Sequence, residues 1–191
     1  PYQAPFIEYT DNNRATTALL QKQKITATGI TCPEGKFTLP TDKIKFLAAA
    51  DFVLVEADGS KNLPCKAWAD YEPVIPSETN SIIHLAGLTC LNQPLYLACH
   101  RPRLAAAVLN RSLNHIISSV DLAELISRKA KQIKEEFPQA LYKIILNQGD
   151  AVSFSQAKAT AREIRRLSDL PVIITALKTI SPLIYKNCQE D

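Results

Sequence analysis

The sequence predicts an α/β fold: a three-layer protein with a mostly parallel sheet. Three observations predict it. Short apolar runs that favour strands occur at residues 52–55, 141–146 and 172–175, with 81–85 a fourth. The first of these is apolar on successive residues, as a strand covered on both faces requires. Between the runs lie stretches of ten or more residues with apolar positions at helical spacing, the alternation of a sheet layered with helices.

The elements follow in order. Residues 1–13 read as extended, with Pro1, Pro5 and the turn-forming Asp11, Asn12 and Asn13. A short helix is expected over 14–23. Residues 24–31 alternate as a strand does and run into a turn at Pro33, Glu34 and Gly35. Thr41 suits the N-cap of a short helix over 42–50, because its hydroxyl can accept from a free backbone amide. The run 52–55 then reads as a buried parallel strand ending in Glu56. Helices are expected over 103–109, 121–137 and 155–168. The last two gather Leu122, Leu125, Ile126 and Ile133, and Ala157, Ala161, Ile164 and Leu167, on one side. With no repeat, low-complexity stretch or linker, residues 1–191 read as a single domain.

Composition narrows the function. In 191 residues, 46% hydrophobic and 21% charged side chains exclude a disordered or collagen-like chain. A net charge of +3 is too slight for a nucleic-acid footprint. No apolar run approaches the roughly 20 residues of a membrane span, and no signal peptide is visible. We therefore expect a soluble, cytoplasmic protein without a nucleic-acid or membrane partner. The five cysteines are odd in number and form no CxxC pair, so they read as buried or incidental thiols of a reducing compartment. His84 and His115 read as structural. Methionine is absent, also from position 1, so the chain is expected to start inside a longer protein.

In an open parallel sheet, ligands sit at the carboxyl ends of the strands. Two polar clusters fall there. The first is Glu56-Ala57-Asp58-Gly59-Ser60. Paired carboxylates at a strand tip supply the hard oxygen ligands that Mg²⁺ takes beside phosphates, and Gly59 lets the backbone pass close to a ligand. A plain surface turn is the alternative. Pro64, Pro73 and Pro76 stiffen the segment that follows, which carries Lys66, Asp70 and Glu72 and which Trp68 is expected to anchor. This segment either holds its charges over a site or is a rigid, solvated loop. Cys65, beside Lys66, is either a plain loop cysteine or a thiol whose neighbouring cation favours the thiolate.

The second cluster is Asn147-Gln148-Gly149-Asp150. It stands where a GTPase carries Asn-Lys-x-Asp, whose Asp accepts hydrogen bonds from guanine. Gln148 in place of Lys removes the aliphatic stem that would cover the base, and a helix-capping turn is the alternative. A phosphate loop is not found. Its nearest imitation, residues 29–37, has one residue too many between its glycines, Pro33 where an amide is needed and Phe37 where a hydroxyl is needed.

The run from Asp51 through Glu56-Ala57-Asp58-Gly59-Ser60-Lys61, the step Leu63-Pro64-Cys65-Lys66-Ala67 and the block Tyr71-Glu72-Pro73-Val74-Ile75-Pro76 closely resemble the YqeC family, an accessory protein of selenium-dependent molybdenum hydroxylases. His100-Arg101 and the turn at Asn147–Asp150 continue the pattern, over residues 24–177 in all. The resemblance implies a P-loop NTPase-like fold whose first strand and Gly-Lys-Thr loop are missing from this chain. It implies that Glu56 and Asp58 organise Mg²⁺ or the attacking water, and that Lys66 and Arg101 neutralise phosphate or an anionic substrate. Glu72 would be a general base or an anchor. Gly59, Ser60, Arg101, Asn147 and Asp150 would line the nucleotide or substrate. The implied cofactors are Mg²⁺ and a nucleoside triphosphate; the implied partner is a molybdenum or selenium cofactor, or the apo-hydroxylase. The function expected is nucleotide-driven maturation of the hydroxylase. A non-hydrolysing chaperone acting through Lys66–Pro76 is one alternative, and a small-molecule kinase or nucleotidyltransferase another.

Overall fold

The computed structural model describes residues 50–177, together with short strands at Tyr9–Thr10, Ala27–Thr28, Ile30–Thr31, Phe37–Thr38 and Leu183–Tyr185. The chain divides into two compact units, Pro1–Glu56 and Ala57–Asp191.

In the first unit β1 (Tyr9–Thr10) pairs parallel with β2 (Ala27–Thr28), and β3 (Ile30–Thr31) pairs antiparallel with β4 (Phe37–Thr38). Residues 29–37, which imitate a phosphate loop in composition, therefore run from one strand into its antiparallel partner, where a phosphate loop would lead into a helix. The helices expected over 14–23 and 42–50 lie outside the described residues, apart from Ala50. The buried strand expected at 52–55 is not formed: Phe52 and Leu54 are 89% and 94% exposed. A run of strand-forming residues becomes a strand only where a neighbouring edge takes up its amides and carbonyls. Among the described residues, none pairs with this one.

The second unit holds an open four-stranded sheet in the order β10-β9-β8-β6, made of β6 (Ser81–Gly87), β8 (Leu141–Asn147), β9 (Val172–Ala176) and β10 (Leu183–Tyr185). β6, β8 and β9 are parallel, and β10 closes one edge antiparallel. β6 and β8 run in full register from Ser81↔Leu141 to Gly87↔Asn147, so both strands end level. A second, two-stranded parallel ladder pairs β5 (Cys65–Lys66) with β7 (Cys99–His100).

Among the described residues four α-helices are formed: α1 (Leu95–Ala98), α2 (Pro102–Leu109), α3 (Ser119–Glu136) and α4 (Phe154–Ser168). Pro102 opens α2, at a position whose amide has no helical partner. α3 starts at a capping box in which Ser118 and Asp121 satisfy each other's backbone amides. Ser153 caps α4 by accepting from the Gln156 amide.

Alternation decides what the sheet buries. Ile82, His84 and Ala86 of β6 and Tyr142, Ile144 and Leu146 of β8 are buried with Leu122 and Ile126 of α3 and Ala161 and Ile164 of α4. Their alternates Ile83, Leu85 and Leu141 are exposed, so the described residues supply two of the three expected layers. Among these residues no helix is long and apolar enough to cross a membrane.

Candidate functional site

Lys66 is the last residue of β5, and Arg101 directly follows the last residue of β7. Because Lys66 is in register with His100, the two cations stand side by side at the carboxyl ends of adjacent parallel strands. Arg101 adopts a left-handed backbone, φ 59°, as it turns the chain from β7 into α2. That conformation is unfavourable for a side chain of this size and is held by what surrounds it.

Glu72 joins the two cations. Its Oε2 accepts from Arg101 Nη1 at 2.5 Å and lies 3.1 Å from Lys66 Nζ, while its Oε1 accepts from Arg101 Nη2 at 2.9 Å. Lys66 is the buried member, with a side chain 6% exposed. Its Nζ also meets Asp58 Oδ2 at 3.1 Å and donates to the Gly59 carbonyl at 2.8 Å. Trp68 Nε1 donates to the same Asp58 oxygen at 2.6 Å, so Trp68 does anchor the loop. Tyr71 supports Arg101 with its hydroxyl and its ring face. Lys129, reaching over from α3, donates to the Glu72 carbonyl at 3.0 Å.

The backbone explains why these residues meet. The Val74 amide donates to the Ala57 carbonyl, folding the Tyr71–Pro76 block back onto the Asp58 turn. Lys61 and Asn62 both take left-handed conformations, which reverse the chain after Ser60. The Ser60 carbonyl then accepts from the Leu63 amide. The Ala67 amide donates to the His100 carbonyl and extends the β5–β7 pairing.

Burial disfavours the charge on Glu72, but the hydrogen bonds from Arg101 and Lys66 outweigh it and hold the carboxyl below its ordinary value. The Glu72 carboxylate in turn raises Arg101. His100 is pushed down, first by burial and then by Arg101 and Lys66, so it stays neutral at physiological pH.

The second polar cluster is built differently. Asn147 Oδ1 accepts from Thr175 Oγ1 at 3.1 Å and from the Leu177 amide at 3.3 Å, tying the end of β8 to the end of β9. Gln148, at φ 63°, accepts from Thr89 Oγ1 through its Oε1 at 2.6 Å. Asp150 is exposed at the tip of the turn. Among the described residues no hydrogen bond or ion pair joins Asn147 or Asp150 to the Lys66–Glu72–Arg101 network. The two clusters touch instead at Gly87, the end of β6. Its amide donates to the Pro64 carbonyl at 2.8 Å, and a methyl group on it would lie 2.3 Å from Gln148 Oε1 and 2.8 Å from Pro64 Cβ.

Of the residues expected at the site, Asp58, Gly59, Lys66, Glu72 and Arg101 meet in one network, Ser60 turns the chain beside it, and Asn147 and Asp150 form the second cluster. Glu56 is the last residue of the first unit, Asp58 the second residue of the next. Sequence reasoning missed Gly87, Tyr71 and Lys129, whose roles arise from contacts between distant segments.

Sequence reasoning also missed the link between Trp68 and His84. The His84 ring stands edge-on to Trp68 at 4.9 Å, and its Nδ1 lies 2.9 Å from the Tyr142 hydroxyl. Burial holds Tyr142 in its protonated form, so it donates to Nδ1 and leaves the His84 proton on Nε2. Among the described residues Nε2 has no hydrogen-bond partner.

Cys65, Cys90 and Cys99 are free and buried, and Cys65 is in register with Cys99. Hydrogen bonding to Cys90 leads the effects that push the Cys65 thiol well up. Of the two readings of Cys65, the raised thiol favours the plain cysteine over a Lys66-activated thiolate, though it lies in a strand and not a loop.

One oxygen of Asp58 is taken by Lys66 and Trp68, and among the described residues no three His, Cys, Asp or Glu side chains group to hold a metal. A magnesium ion placed here would have to bring most of its oxygen ligands with it, on phosphates and water.

These features define an open α/β protein that gathers its charged side chains at the carboxyl ends of parallel strands. The chain belongs to the YqeC family: the family's sequence model, described as YqeC protein, matches residues 2–103, just over half of it. Neither the curated proteins nor the solved structures contain a match.

Proposed function

We propose that this chain is a nucleotide-dependent accessory protein in the maturation of selenium-dependent molybdenum hydroxylases, acting in the cytoplasm. One observation carries the reading: two cations from the ends of adjacent parallel strands, Lys66 and Arg101, converge on one carboxylate, Glu72. An arrangement that grips a carboxylate through a guanidinium fork and an ammonium suits a phosphate equally well. A terminal phosphate would take the place of the Glu72 carboxylate on Arg101 and Lys66. Glu72, released, would accept a proton or orient water. Asp58 would hold magnesium arriving on the phosphates, whose charge the ion would neutralise. Gly59 and Ser60 would border the phosphates, and Asp150, at an exposed tip, would reach the base. Asn147 would act indirectly, by fixing the turn that carries Asp150.

The second reading is a non-hydrolysing chaperone for the cofactor or the apo-hydroxylase. It is favoured by the fact that Asp58 and Glu72 already neutralise both cations. Calorimetric titration of the full chain with Mg-ATP and Mg-GTP, paired with an assay of phosphate release, separates the two. Binding that is lost in Arg101→Ala while the fold is retained supports the nucleotide reading. Binding without release selects the chaperone, and absence of binding to either nucleotide overturns the nucleotide reading.

A further inference from the structure

From Thr79 to Val120 the chain contains no aspartate, glutamate or lysine, while Arg101, Arg103 and Arg111 fall inside that stretch. The folded chain lays the middle of this acid-free stretch out as one surface. Pro94 bridges Ile116 antiparallel, the Leu95 amide donates to the His115 carbonyl and the Tyr96 amide to the Leu113 carbonyl, so the segment entering α1 lies alongside the loop after α2. α1 packs on α2. Each of these pieces buries one side, Leu95 and Ala98, Ala105 and Leu109, and Ile117, and leaves large apolar side chains on the other. Tyr96 and Leu97 are 56% and 54% exposed, and Leu104, Val108, Leu113 and Ile116 are exposed as well. Adjoining apolar side chains in this number mark a docking surface on a single chain.

The charges at its edge say what docks. Arg103 is exposed next to Leu104 and, among the described residues, forms no ion pair. Arg111 reaches only the edge of Asp121, at 4.0 Å, and that carboxylate is already satisfied by Ser118 and His115. The charged side chains that its own segments contribute are thus arginines, with Asp121 the carboxylate beside Arg111. Two such arginines fall short of the four to eight basic residues that make a membrane-binding cluster. A second copy would set arginine against arginine across a two-fold axis.

We propose that the face formed by α1, α2 and the loop at 110–116 docks an acidic amphipathic segment of another protein. Its apolar side chains would cover Tyr96, Leu104 and Ile116, and its carboxylates would pair with Arg103 and Arg111. This surface adjoins the Lys66–Glu72–Arg101 network, since Arg101 is the N-cap of α2, but it uses none of that network's side chains.

The test is selection of displayed random peptides of about 16 residues on the full chain. Survivors are then titrated by fluorescence polarisation against the wild type, Arg103→Glu and Leu104→Ser/Val108→Ser, all checked by circular dichroism melts. Enriched peptides are expected to carry Asp and Glu beside apolar residues at helical spacing. Arg103→Glu is expected to weaken them about tenfold, as loss of one such pair does, and to restore binding of peptides with Lys in place of Glu. Any of four results overturns the proposal. These are no enrichment, peptides without acidic residues, binding by both variants as tight as by the wild type, or, with no peptide enriched, sedimentation with phosphatidylglycerol vesicles or self-association that the variants abolish.

Discussion

Arg101 and Glu72, separated by 29 residues, meet through both arms of the guanidinium, Nη1 on Oε2 at 2.5 Å and Nη2 on Oε1 at 2.9 Å. The planar fork fixes the carboxylate in orientation as well as position, and Lys66 closes on the same oxygen from the strand alongside. The loop carrying Glu72 is thereby fastened to two strand ends at once.

Glu72→Gln keeps the shape of this side chain and removes its charge, leaving Arg101 beside a neutral group while Lys66 keeps Asp58. A buried pair broken from one side leaves the other partner uncompensated. We expect a loss of about 2 kcal/mol, the penalty of a half-buried unpaired charge. Arg101→Lys, which keeps the charge but loses the fork, should cost about half as much. Urea midpoints at neutral pH measure both, and a cost for the lysine variant equal to that of Glu72→Gln would show that charge alone matters.

Gly87→Ala would force a methyl group into Gln148 and Pro64. The glutamine end can swing away at the expense of its Thr89 contact, but the proline carbon belongs to a stiff ring. Overpacking of this kind costs about 1–3 kcal/mol. The double change Gly87→Ala/Gln148→Ala should recover only part of it. Full recovery in thermal melts would mean that Pro64 yields.

His84 is held down to about 4 by burial and by the nearby Lys129, against an ordinary value of 6.5. The unfolded chain therefore binds a proton at pH 5 that the folded chain refuses, and stability must fall as the pH drops from 6.5 towards 4. His100 adds to this in the same direction. The loss from His84 should reach roughly 3 kcal/mol at the low end. Unfolding curves at pH 7 and pH 5 should converge in His84→Gln relative to the wild type, and parallel losses in both proteins would count against the assignment.

Ser118→Ala removes one half of the capping box at the start of α3 and should cost about 1 kcal/mol. Burial opposes the charge on Asp121, but hydrogen bonds from Ser118 and His115 keep its carboxyl low. The contribution of the box is thus present above the ordinary value of 3.8 and lost as the pH falls below it. Helix-end protection in hydrogen exchange, compared at pH 6 and pH 3, would report it.

Iodoacetamide should leave Cys65, Cys90 and Cys99 unmodified in the folded protein and label all three in denaturant. Burial shields all three, and raised thiol values keep the thiolates of Cys65 and Cys99 scarce. Peptide mass mapping reads each position separately, and native labelling of Cys65 would overturn its reading as a plain cysteine.

The long elements were legible because their patterns are long. The strands expected over 81–85, 141–146 and 172–175 are found as Ser81–Gly87, Leu141–Asn147 and Val172–Ala176, and the three helices start and stop within two residues of expectation. What escaped were β5, β7 and α1, which are too short to carry a period. The run 52–55 has the residues of a strand and not the partner, and partners are not written in a local pattern. At the site, the charged types and the stiff loop could be read directly. That Lys66 and Arg101 would share Glu72 could not, because their meeting depends on the β5–β7 register. Gly87 carries no chemistry of its own, so only the atoms crowding it reveal its importance.

On the nucleotide reading proposed above, the shared carboxylate would turn ligand capture into an exchange. A phosphate taking Arg101 and Lys66 would not fill empty space; it would evict Glu72 from the two groups that keep it ionised. The evicted carboxylate, half-buried and without cations, regains affinity for hydrogen ions. Capture would then draw a proton from solution in mildly acidic buffer and none in alkaline buffer. The heat released at pH 5 would vary with the ionisation enthalpy of the buffer, and the same titration at pH 8 would not. The tightness of binding would likewise rise with acidity over the range in which Glu72 gains its proton.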